Sequence, residues 1–466
     1  MSDARVSDSL RRALSRECRG VFLDTPETTR PFSADFGGIF TRQPQLVLKP
    51  LALADLATAL HLAATHGVAV TTRGAGHSQS GQSLGSGIVL DLRDIGGTPV
   101  IDRNTETLEI GAGLSWRSAT DFTFSKGFIP RALTHMLDAT VAGTLSVGGI
   151  GSESWRFGPQ VDNVRWLDVM TVDGEVLRCS TSLRPELFDA VRSGFGQCGI
   201  IVRVGYPLRR CAGLLRTRTL VYRDAAAFHH DVDVVTADTR QERFLSGAVV
   251  RDPLGSIERR FLLRVGRDFN ELADLETDVL PELHADLELP PRHTRLWRQD
   301  GLPGHVFFQT FPRSQVVADA GELHPWVDHL FRHDLAKDVV EVLRASPHRA
   351  LDYGTLGLIF VRRGTARAPF FILPDESELT WEVGMFSSFA PKAHALGLSV
   401  RQEFVDLLRP FGGKRYLSSF RPFDWLACPD HYGPMWASFV SAKRRFDPRG
   451  TLNPGFIEWP EQHGGC

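Results

Sequence analysis

The chain has 466 residues, of which 42% are hydrophobic and 23% charged, and its formal net charge is −2. This length allows two or three domains with sizeable cores, and the small net charge gives no reason to expect nucleic acid or an anionic membrane as partner. Neither a signal peptide nor an apolar run of the roughly 20 residues that span a membrane is visible, which predicts a cytoplasmic protein.

Six cysteines are spread along the chain, and none of them forms a C-x-x-C pair. Thiols scattered in this way predict neither a structural zinc site nor a disulfide framework, and we expect no metal. The six are Cys18, Cys179, Cys198, Cys211, Cys428 and Cys466.

The first strong local pattern is a helix followed by a strand. Between Leu51 and His66 apolar residues recur at steps of three and four, and Gly67 can end the helix. A short apolar strand, Val68 to Val70, then leads into a glycine-rich run.

That run, Thr72 to Gln82, reads T-R-G-A-G-H-S-Q-S-G-Q. Its three glycines let backbone N–H groups converge on an anion, and His77 lies among them. A phosphate-binding loop that holds a histidine suggests a dinucleotide, FAD above all, attached through the imidazole; the alternative is a simple turn. A Rossmann fold is disfavoured because another strand, Ile88 to Leu92, begins where that fold requires a helix.

Further elements make the first 210 residues an α+β region. The polar turn Arg103 to Thr105 joins one predicted hairpin, and Asp173-Gly174 is a strong two-residue turn signal for a second. We predict a short helix over Pro185 to Val191, a strand over Ile200 to Val204 and, near the C-terminus, a helix over Met435 to Phe446.

The segment from about 213 to 412 has fewer glycine clusters and many aromatic side chains. Aromatic residues dominate protein cores, so we expect most of these in the core and a few around a pocket. They include Trp297, Phe307, Phe308, Phe311, Trp326, Tyr353, Phe370, Phe371, Trp381 and Phe386.

A series of different short sequence runs follows one another in a characteristic order along nearly the whole chain. They are Asp35 to Ile39, Arg73 to Ser78, Pro130-Arg131, Thr140 to Gly149, Phe157 to Gln160, Leu167 to Val169, Gly196 to Ile201, Leu220 to Tyr222, His324 to Trp326, Tyr416 and Asp447 to Gly455. In these runs the chain resembles the FAD-linked oxidases of vanillyl-alcohol oxidase type, which share a PCMH-type FAD domain. Within that family it is most similar to the cytokinin dehydrogenases.

The resemblance implies an α+β flavoprotein of two domains. Its FAD-binding domain is split in sequence, over about 1–212 and 413–466, and a substrate domain of about 213–412, an antiparallel sheet flanked by helices, lies over the isoalloxazine ring. It also implies that His77 carries the flavin through an 8α-histidyl bond, the alternative being a non-covalent contact with the ring. Such a bond withdraws electron density from the flavin and eases hydride acceptance.

The same resemblance assigns residues around the cofactor. Arg73 and Ser78 are expected beside the pyrophosphate, although Arg73 can equally pair with a structural carboxylate. The turn Thr144 to Gly149 is expected to offer backbone amides to the phosphates. The expected cofactor contacts are Arg73, Gly74, Ala75, Gly76, His77, Ser78, Gln82, Thr144, Ser146, Gly148, Gly149, Asn163, Gly199, Ile201, Tyr416 and Asn453.

The chain departs from the family where substrate is bound. Cytokinin dehydrogenases place an aspartate base in a W-T-D-Y-L-like run, and the corresponding run here, Leu133 to Leu137, has His135 at that position. A second family carboxylate corresponds to Ser246, and the last glutamine of the family's L-S-P-G-Q run to Phe456. A site that has lost these hydrogen-bonding groups is not expected to take a cytokinin.

Three residues are candidates for the chemistry. His135, with an ordinary pKa of about 6.5, can accept a proton as hydride leaves the substrate, or it only hydrogen-bonds within a loop. Asp138 occupies the place of the cysteine that forms the second flavin bond in berberine-bridge relatives, so that bond is not expected. Its carboxylate can orient His135, act as base or cap a turn. Tyr416 either contacts the substrate or packs in the core.

The sequence thus predicts an FAD-dependent oxidoreductase that moves hydride from a small aromatic or apolar amine or alcohol to flavin N5. Dioxygen or another acceptor would take up the electrons, and analogy to the wider family suggests a tailoring step in secondary metabolism. The rival is a flavin-binding protein of the same fold with a lyase, isomerase or binding role. A weaker alternative is a sugar or polyol oxidase, which requires a more polar pocket.

Overall fold

The computed structural model describes residues 5–239, 244–252, 258–270, 280–295, 321–346, 352–364, 366–374, 377–419, 427–457 and 459–460. Trp297, Phe307, Phe308 and Phe311, predicted above to be core or pocket residues, lie outside these ranges, as does Cys466. The described chain contains three β-sheets, each with helices packed against it.

The first sheet carries the glycine-rich run. Its elements are α1 Asp8–Glu17, β1 Gly20–Leu23, α2 Pro26–Thr29, a 3-10 helix Arg30–Phe32, β2 Leu46–Pro50, α3 Leu53–Thr65, β3 Val70–Arg73 and β4 Ile88–Asp91. Strands β2, β4 and β3 are parallel neighbours, and β1 pairs antiparallel with β2 at the edge. Helix α3 crosses from β2 to β3 and buries the apolar face that its spacing predicts. The glycine-rich run therefore leaves the sheet at the end of β3.

The second sheet is antiparallel and is organised around one long strand. Its elements are β5 Val100–Asp102, β6 Thr107–Gly111, α4 Trp116–Phe124, β7 Phe128–Pro130, α5 Val141–Leu145, α6 Ser154–Phe157, α7 Gln160–Asn163, β8 Trp166–Met170, β9 Val176–Cys179, α8 Pro185–Val191 and β10 Ile200–Arg210. Strand β10 pairs with β6, β7 and β8, which explains why it continues beyond the predicted Val204.

The third sheet has eight antiparallel strands in the order β14-β11-β13-β12-β16-β17-β15-β18. These strands and the helices between them are β11 Leu214–Tyr222, α9 Ala225–Thr236, β12 Phe244–Arg251, β13 Arg259–Phe269, β14 Leu287–Arg295, β15 Val327–Arg332, α10 His333–Ala345, β16 Thr355–Arg362, β17 Leu379–Phe386, a 3-10 helix Pro391–Ala393, α11 His394–Leu408, a 3-10 helix Arg409–Phe411 and β18 Lys414–Arg415.

The two faces of the third sheet have different neighbours. Side chains alternate between the faces of a strand, and the residues Phe331, Trp381 and Val383 pack in one core with side chains of α9, α10 and α11. The alternate positions, such as Asp328 and Glu382, point to the opposite face. Because both faces are covered, every residue of β17 is buried.

The C-terminal segment returns to the first two sheets. Helices α12 Ala427–Tyr432 and α13 Met435–Phe446 follow β18, and Phe439 of α13 belongs to the core that also contains Phe188 of α8. Lys443 of α13 is buried, and its Nζ donates to the Gln197 and Leu452 carbonyl oxygens at 3.0 Å each. The chain is therefore an α+β protein of two domains, as predicted.

Local predictions for the helices and hairpins are confirmed. The predicted helices are α3, α8 and α13, and both hairpins form as β5–β6 and β8–β9. Strand β3 begins at Val70 rather than at Val68 and runs into the glycine-rich run. The third sheet begins at Leu214 and includes Arg415, while the domain boundaries at 212 and 412 stay predictions. In the ranges described, no helix combines the length and the apolar character needed to cross a bilayer.

Candidate functional site

A cavity lies between the glycine-rich run and the third sheet. Its lining includes the segment Thr72–Ser78 and, from the third-sheet region, Trp326, Ile359 and Phe386. Many residues predicted to contact a cofactor line this cavity. They are Arg73, Gly74, Ala75, Gly76, His77, Ser78, Gln82, Thr144, Ser146, Gly199, Ile201, Tyr416 and Asn453.

Glycine is required in the run because other groups approach its backbone closely. Gly76 has φ +70°, and a Cβ there would lie 2.4 Å from Nη2 of Arg73. A Cβ on Gly74 would lie 2.2 Å from Oγ1 of Thr140. The segment therefore follows a path that side chains would block, and it keeps its backbone open towards the cavity.

His77 faces the cavity from a stack of aromatic rings. Its ring stacks on Phe36 with centroids 4.0 Å apart, and Trp326 lies 5.8 Å away at 59°. Phe36 in turn stacks on His324 at 4.2 Å. Burial lowers the pKa of His77 to about 4, so the imidazole is neutral near pH 7. Its buried Nε2 meets no hydrogen-bond partner among the described residues, which leaves a nitrogen lone pair available to a bound group.

A buried carboxylate holds the glycine-rich run in place. Asp35 accepts hydrogen bonds from the Ser78 hydroxyl and the Gly81 N–H, both at 2.9 Å, and burial raises its pKa to about 6. Arg73 donates to the Ala34 carbonyl oxygen at 3.0 Å; burial lowers its pKa, and the charges of Asp35 and Asp91 oppose this shift. Both Arg73 and Ser78 line the cavity, so their place beside the pyrophosphate and the alternative pairing of Arg73 with a structural carboxylate both stay predictions.

Only some residues of the turn after α5 line the cavity. Thr144 and Ser146 line the cavity, whereas Gly148 and Gly149 are not among the described residues that do so. The Gly149 N–H donates to the Tyr416 hydroxyl at 3.0 Å, and a Cβ on Gly148 would lie 2.3 Å from the Phe371 ring. These two glycines thus allow the turn to pack against aromatic rings.

Asn163 is also not among the described residues that line the cavity. Its amide donates to the carbonyl oxygens of Phe157 and Pro159, both at 2.9 Å, and so holds the turn between α6 and α7. Asn453, in contrast, lines the cavity and ties the C-terminal segment to it. Its Oδ1 accepts from the Thr72 N–H at 2.8 Å, and its Nδ2 donates to the Gly196 carbonyl oxygen at 2.7 Å.

The three candidates for chemistry are placed differently. His135 and Tyr416 line the cavity. Burial lowers the pKa of His135 to about 3 and raises that of Tyr416, so both side chains are neutral near pH 7. Asp138 has 66% of its side chain exposed and forms a bidentate ion pair with Arg117, with one N–O distance of 2.7 Å. The charge of Asp138 nevertheless acts on His77, and its role beside the reacting groups stays a prediction.

Two carboxyl groups that sequence reasoning did not select lie in the same cavity. Asp328 of β15 and Glu382 of β17 line it and are 4% and 0% exposed. Burial raises the pKa of Asp328 to about 6, while burial and the charge of Asp328 raise that of Glu382 well above its usual range. The signal in the sequence was a single glutamate within the otherwise uncharged run Leu379–Phe386, because an ionisable residue inside a buried strand marks a special environment.

Two clusters outside the cavity have the composition of metal sites: His229, Asp233 and His333, and His230, Asp231 and His284. In the first, Trp381 Nε1 donates to His333 Nδ1 at 2.8 Å, so the neutral ring carries its proton on Nε2, which lies 2.5 Å from Asp233. In the second, the buried Asp231 carboxylate already accepts from the backbone N–H of His284. Both clusters are therefore explained by internal hydrogen bonds.

Comparison with known proteins gives one matching family and several relatives. Residues 44–180 match the family described as FAD binding domain. The chain is 31% identical over 437 residues to an uncharacterized oxidoreductase of the fasciation locus of Rhodococcoides fascians, covering 91% of this chain and 95% of that protein. It is 28% identical over 493 residues to cytokinin dehydrogenase 2 of Arabidopsis thaliana, covering 95% and 96%.

Two solved structures have a similar fold. The 6-hydroxy-D-nicotine oxidase from Arthrobacter nicotinovorans has a TM-score of 0.68 at 17% identity and covers 93% of this chain and 96% of its own. BBE-like 1 from Physcomitrella patens has a TM-score of 0.71 at 17% identity and covers 97% of this chain and 100% of its own. At this identity the similarity shows the fold alone.

Proposed function

The chain belongs to the FAD-dependent oxidoreductases of vanillyl-alcohol oxidase type and is similar to the cytokinin dehydrogenases, and from this we propose that it oxidises a small aromatic or apolar amine or alcohol. The observation that carries the proposal is the cavity, which joins the glycine-rich run to a wall formed by Trp326, Phe386 and Tyr416. An apolar, aromatic wall favours a substrate of matching character over a sugar or polyol. The relatives favour oxidation over the lyase, isomerase or binding roles that the same fold permits.

The residues of the glycine-rich run fit FAD. Gly74 and Gly76 keep the backbone accessible, and the neutral imidazole of His77 presents its Nε2 without a competing hydrogen bond among the described residues. We propose that His77 holds the cofactor covalently, as an 8α-histidyl link. FAD, when bound, supplies the hydride-accepting ring for the oxidation. Dioxygen or another acceptor then takes up the electrons.

Of the two candidate bases predicted from the sequence, we favour His135. It lines the cavity as a neutral imidazole, whereas Asp138 is paired with Arg117 at the surface. A neutral imidazole accepts a hydrogen bond or a proton from a substrate N–H or O–H. We propose that His135 contacts the reacting group in this way. Its presence where cytokinin dehydrogenases have aspartate supports a substrate other than a cytokinin, in a role such as the tailoring of a secondary metabolite.

The visible spectrum of the purified protein before and after acid precipitation tests this proposal. We expect flavin absorbance in the native protein and a yellow pellet after precipitation, because a covalent bond survives unfolding. His77→Ala is expected to move any remaining flavin to the supernatant, since the histidine nitrogen is lost. His66→Ala, at the exposed end of α3, is the matched control and should leave the pellet yellow.

The outcomes separate the parts of the proposal. A yellow supernatant from the unaltered protein would support FAD as the cofactor and would contradict the covalent bond. A colourless protein that FAD does not reconstitute would contradict the cofactor itself. Anaerobic bleaching of the flavin by amines or alcohols then tests oxidation, and a set of tightly bound compounds that never bleach it would favour a non-redox role.

A further inference from the structure

Asp328 and Glu382 meet over a glycine on the cavity face of the third sheet. The register of β15 and β17 pairs Asp328 with Gly384 and Leu330 with Glu382, so the two carboxyl groups are diagonal neighbours on one face. A Cβ on Gly384 would lie 2.4 Å from Oε1 of Glu382 and 2.5 Å from Oδ1 of Asp328. The absence of a side chain at Gly384 is therefore what allows both carboxyl groups to occupy this position.

These carboxyl groups are buried and incompletely satisfied. Asp328 and Glu382 interact with each other, and the Ser419 side chain and the Ile359 backbone also act on the pair. Even so, Asp328 Oδ1 and both Glu382 oxygens meet no donor of good hydrogen-bond geometry among the described residues, and the two residues are 4% and 0% exposed. Leaving buried acceptors unpaired costs free energy unless a bound group satisfies them. Both residues line the cavity, beside the aromatic rings of Trp326 and Phe386. A ligand that enters the cavity can therefore supply the missing donors.

The surrounding charges specify what kind of donor is needed. Arg415 of β18, the strand next to β15 in the sheet, is the cation that acts on Asp328. Arg401 of α11 and His329 of β15 lie near Arg415. Tyr416 lies beside the pair and is neutral. Asp328 and Arg415 form one pair of opposite charges, and Arg401 adds a further positive charge near Arg415. Burial and the charge of Asp328 disfavour a second carboxylate at Glu382, and a positive charge that enters the cavity beside it would favour one.

We propose that Asp328 and Glu382 bind the ammonium group of an amine substrate whose organic group rests against Trp326 and Phe386, so that this enzyme takes amines in preference to alcohols. The inference rests on the proposed oxidative function and narrows its substrate class. When the ammonium binds, Glu382 releases its proton to solvent and both carboxylates accept N–H hydrogen bonds. Before oxidation one N–H proton moves to the Glu382 carboxylate, which leaves a neutral amine and a carboxylic acid with charge and protons balanced.

Matched amines and alcohols test the proposal on the flavin-loaded protein. The probes are benzylamine, 2-phenylethylamine and 3-phenylpropylamine, each compared with the alcohol of the same carbon skeleton. Calorimetry in two buffers of different ionisation enthalpy measures both affinity and proton release. We expect at least one amine to bind roughly tenfold to a hundredfold more tightly than its alcohol, the ratio typical of hydrogen bonds to charged groups. We expect that amine to release close to one proton near pH 7 and the alcohol to release none.

Variants assign the effect to the carboxyl pair. Glu382→Gln keeps the shape of the side chain and is expected to abolish proton release and the preference for amines, with little change for alcohols. Asp328→Asn is expected to have the same effect. It replaces Glu382→Gln as the test if that variant does not fold. Glu378→Gln is the matched control, because its side chain is 92% exposed just before β17.

Several results would overturn the ammonium site: alcohols that bind as tightly as their amines, no binding by any amine, no proton release, or a preference for amines that survives in both variants. The flavin absorbance of the same samples reports separately on the proposed function. A protein that retains flavin and is bleached by alcohols alone would contradict this inference while leaving the oxidoreductase intact.

Discussion

At the scale of single residues, position 135 is where we predict a histidine in place of the aspartate base of the cytokinin dehydrogenases. An aspartate base in that position would be anionic, whereas burial lowers the pKa of His135 to about 3 and keeps it neutral. A neutral imidazole hydrogen-bonds a substrate without attracting its charge, and it holds a transferred proton only weakly. The carboxyl pair, whose pKa values are raised, is better suited to retain a proton.

His135→Asn is expected to slow anaerobic flavin reduction about tenfold or more with the most reactive arylalkylamine, because the hydrogen bond to the reacting group is lost. Stopped-flow absorbance measures this rate. The acid-precipitated pellet should stay yellow, since the change does not touch His77. His66→Ala again serves as control. An unaltered reduction rate would remove His135 from the chemistry.

At the scale of elements, a buried ion triad joins the first domain to the third sheet. Arg209 of β10 lies 2.9 Å from Glu153, just before α6, and 3.5 Å from Asp268 of β13. Burial raises the pKa of Glu153 to about 7. The positive charge of Arg209 opposes this shift, and the negative charge of Asp268 adds to it. Two carboxylates therefore compete for one guanidinium at this junction.

Glu153→Gln is expected to change how stability depends on pH. A carboxyl group with a raised pKa keeps its proton in the folded state over a range where the unfolded chain releases it. Its contribution is thus complete below about pH 4.5 and is lost as pH rises towards about 7. The slope reaches at most about 1.4 kcal/mol per pH unit. The free energy of unfolding of the variant, relative to unaltered protein, should therefore rise between pH 4.5 and 7.

Chemical denaturation at a series of pH values measures this difference. Glu109→Gln removes an ion pair with Arg203 in which a third of the glutamate side chain is exposed, and it provides the control. Parallel pH profiles for Glu153→Gln and the unaltered protein would show that Glu153 does not titrate in this range.

At the scale of the whole molecule, the last residues of the chain complete a site that begins near residue 72. Asn453 has φ +47° and bridges Thr72 of β3 and Gly196, which lies in the loop between α8 and β10. The backbone N–H of Val70 also donates to the carbonyl oxygen of Thr451 at 2.9 Å. The C-terminal segment therefore braces the base of the glycine-rich run.

Two substitutions at Asn453 separate lost hydrogen bonds from backbone strain. Asn453→Gly tolerates the positive φ and loses only the bridge, whereas Asn453→Ala loses the bridge and adds strain. We expect both to reduce the flavin retained per protein and Asn453→Ala to be less stable by about 1 kcal/mol more. The ratio of flavin absorbance to protein absorbance measures flavin retention, and thermal unfolding measures stability. Flavin retention equal to that of unaltered protein in both variants would contradict the bracing role.

Local patterns in the sequence determined a large part of this structure. The helix α3, the two hairpins and the helix α13 follow from residue periodicity and turn residues that act over a few positions. The glycine-rich run with His77 was visible for the same reason, because the close approaches at Gly74 and Gly76 leave no choice of residue there. The match of residues 44–180 to the family described as FAD binding domain then indicates the class of cofactor.

Tertiary structure alone decided which side chains meet in the cavity. Asp328 and Glu382 are 54 positions apart, from 328 to 382, and only the register of β15 and β17 puts them on one face beside Gly384. Asp138, three positions from His135, turns instead to Arg117 at the surface. Strand register and side-chain direction depend on long-range pairing, which a linear sequence does not display. The scaffold was therefore readable from the sequence, whereas the packing of distant strands decided which carboxyl groups line the cavity.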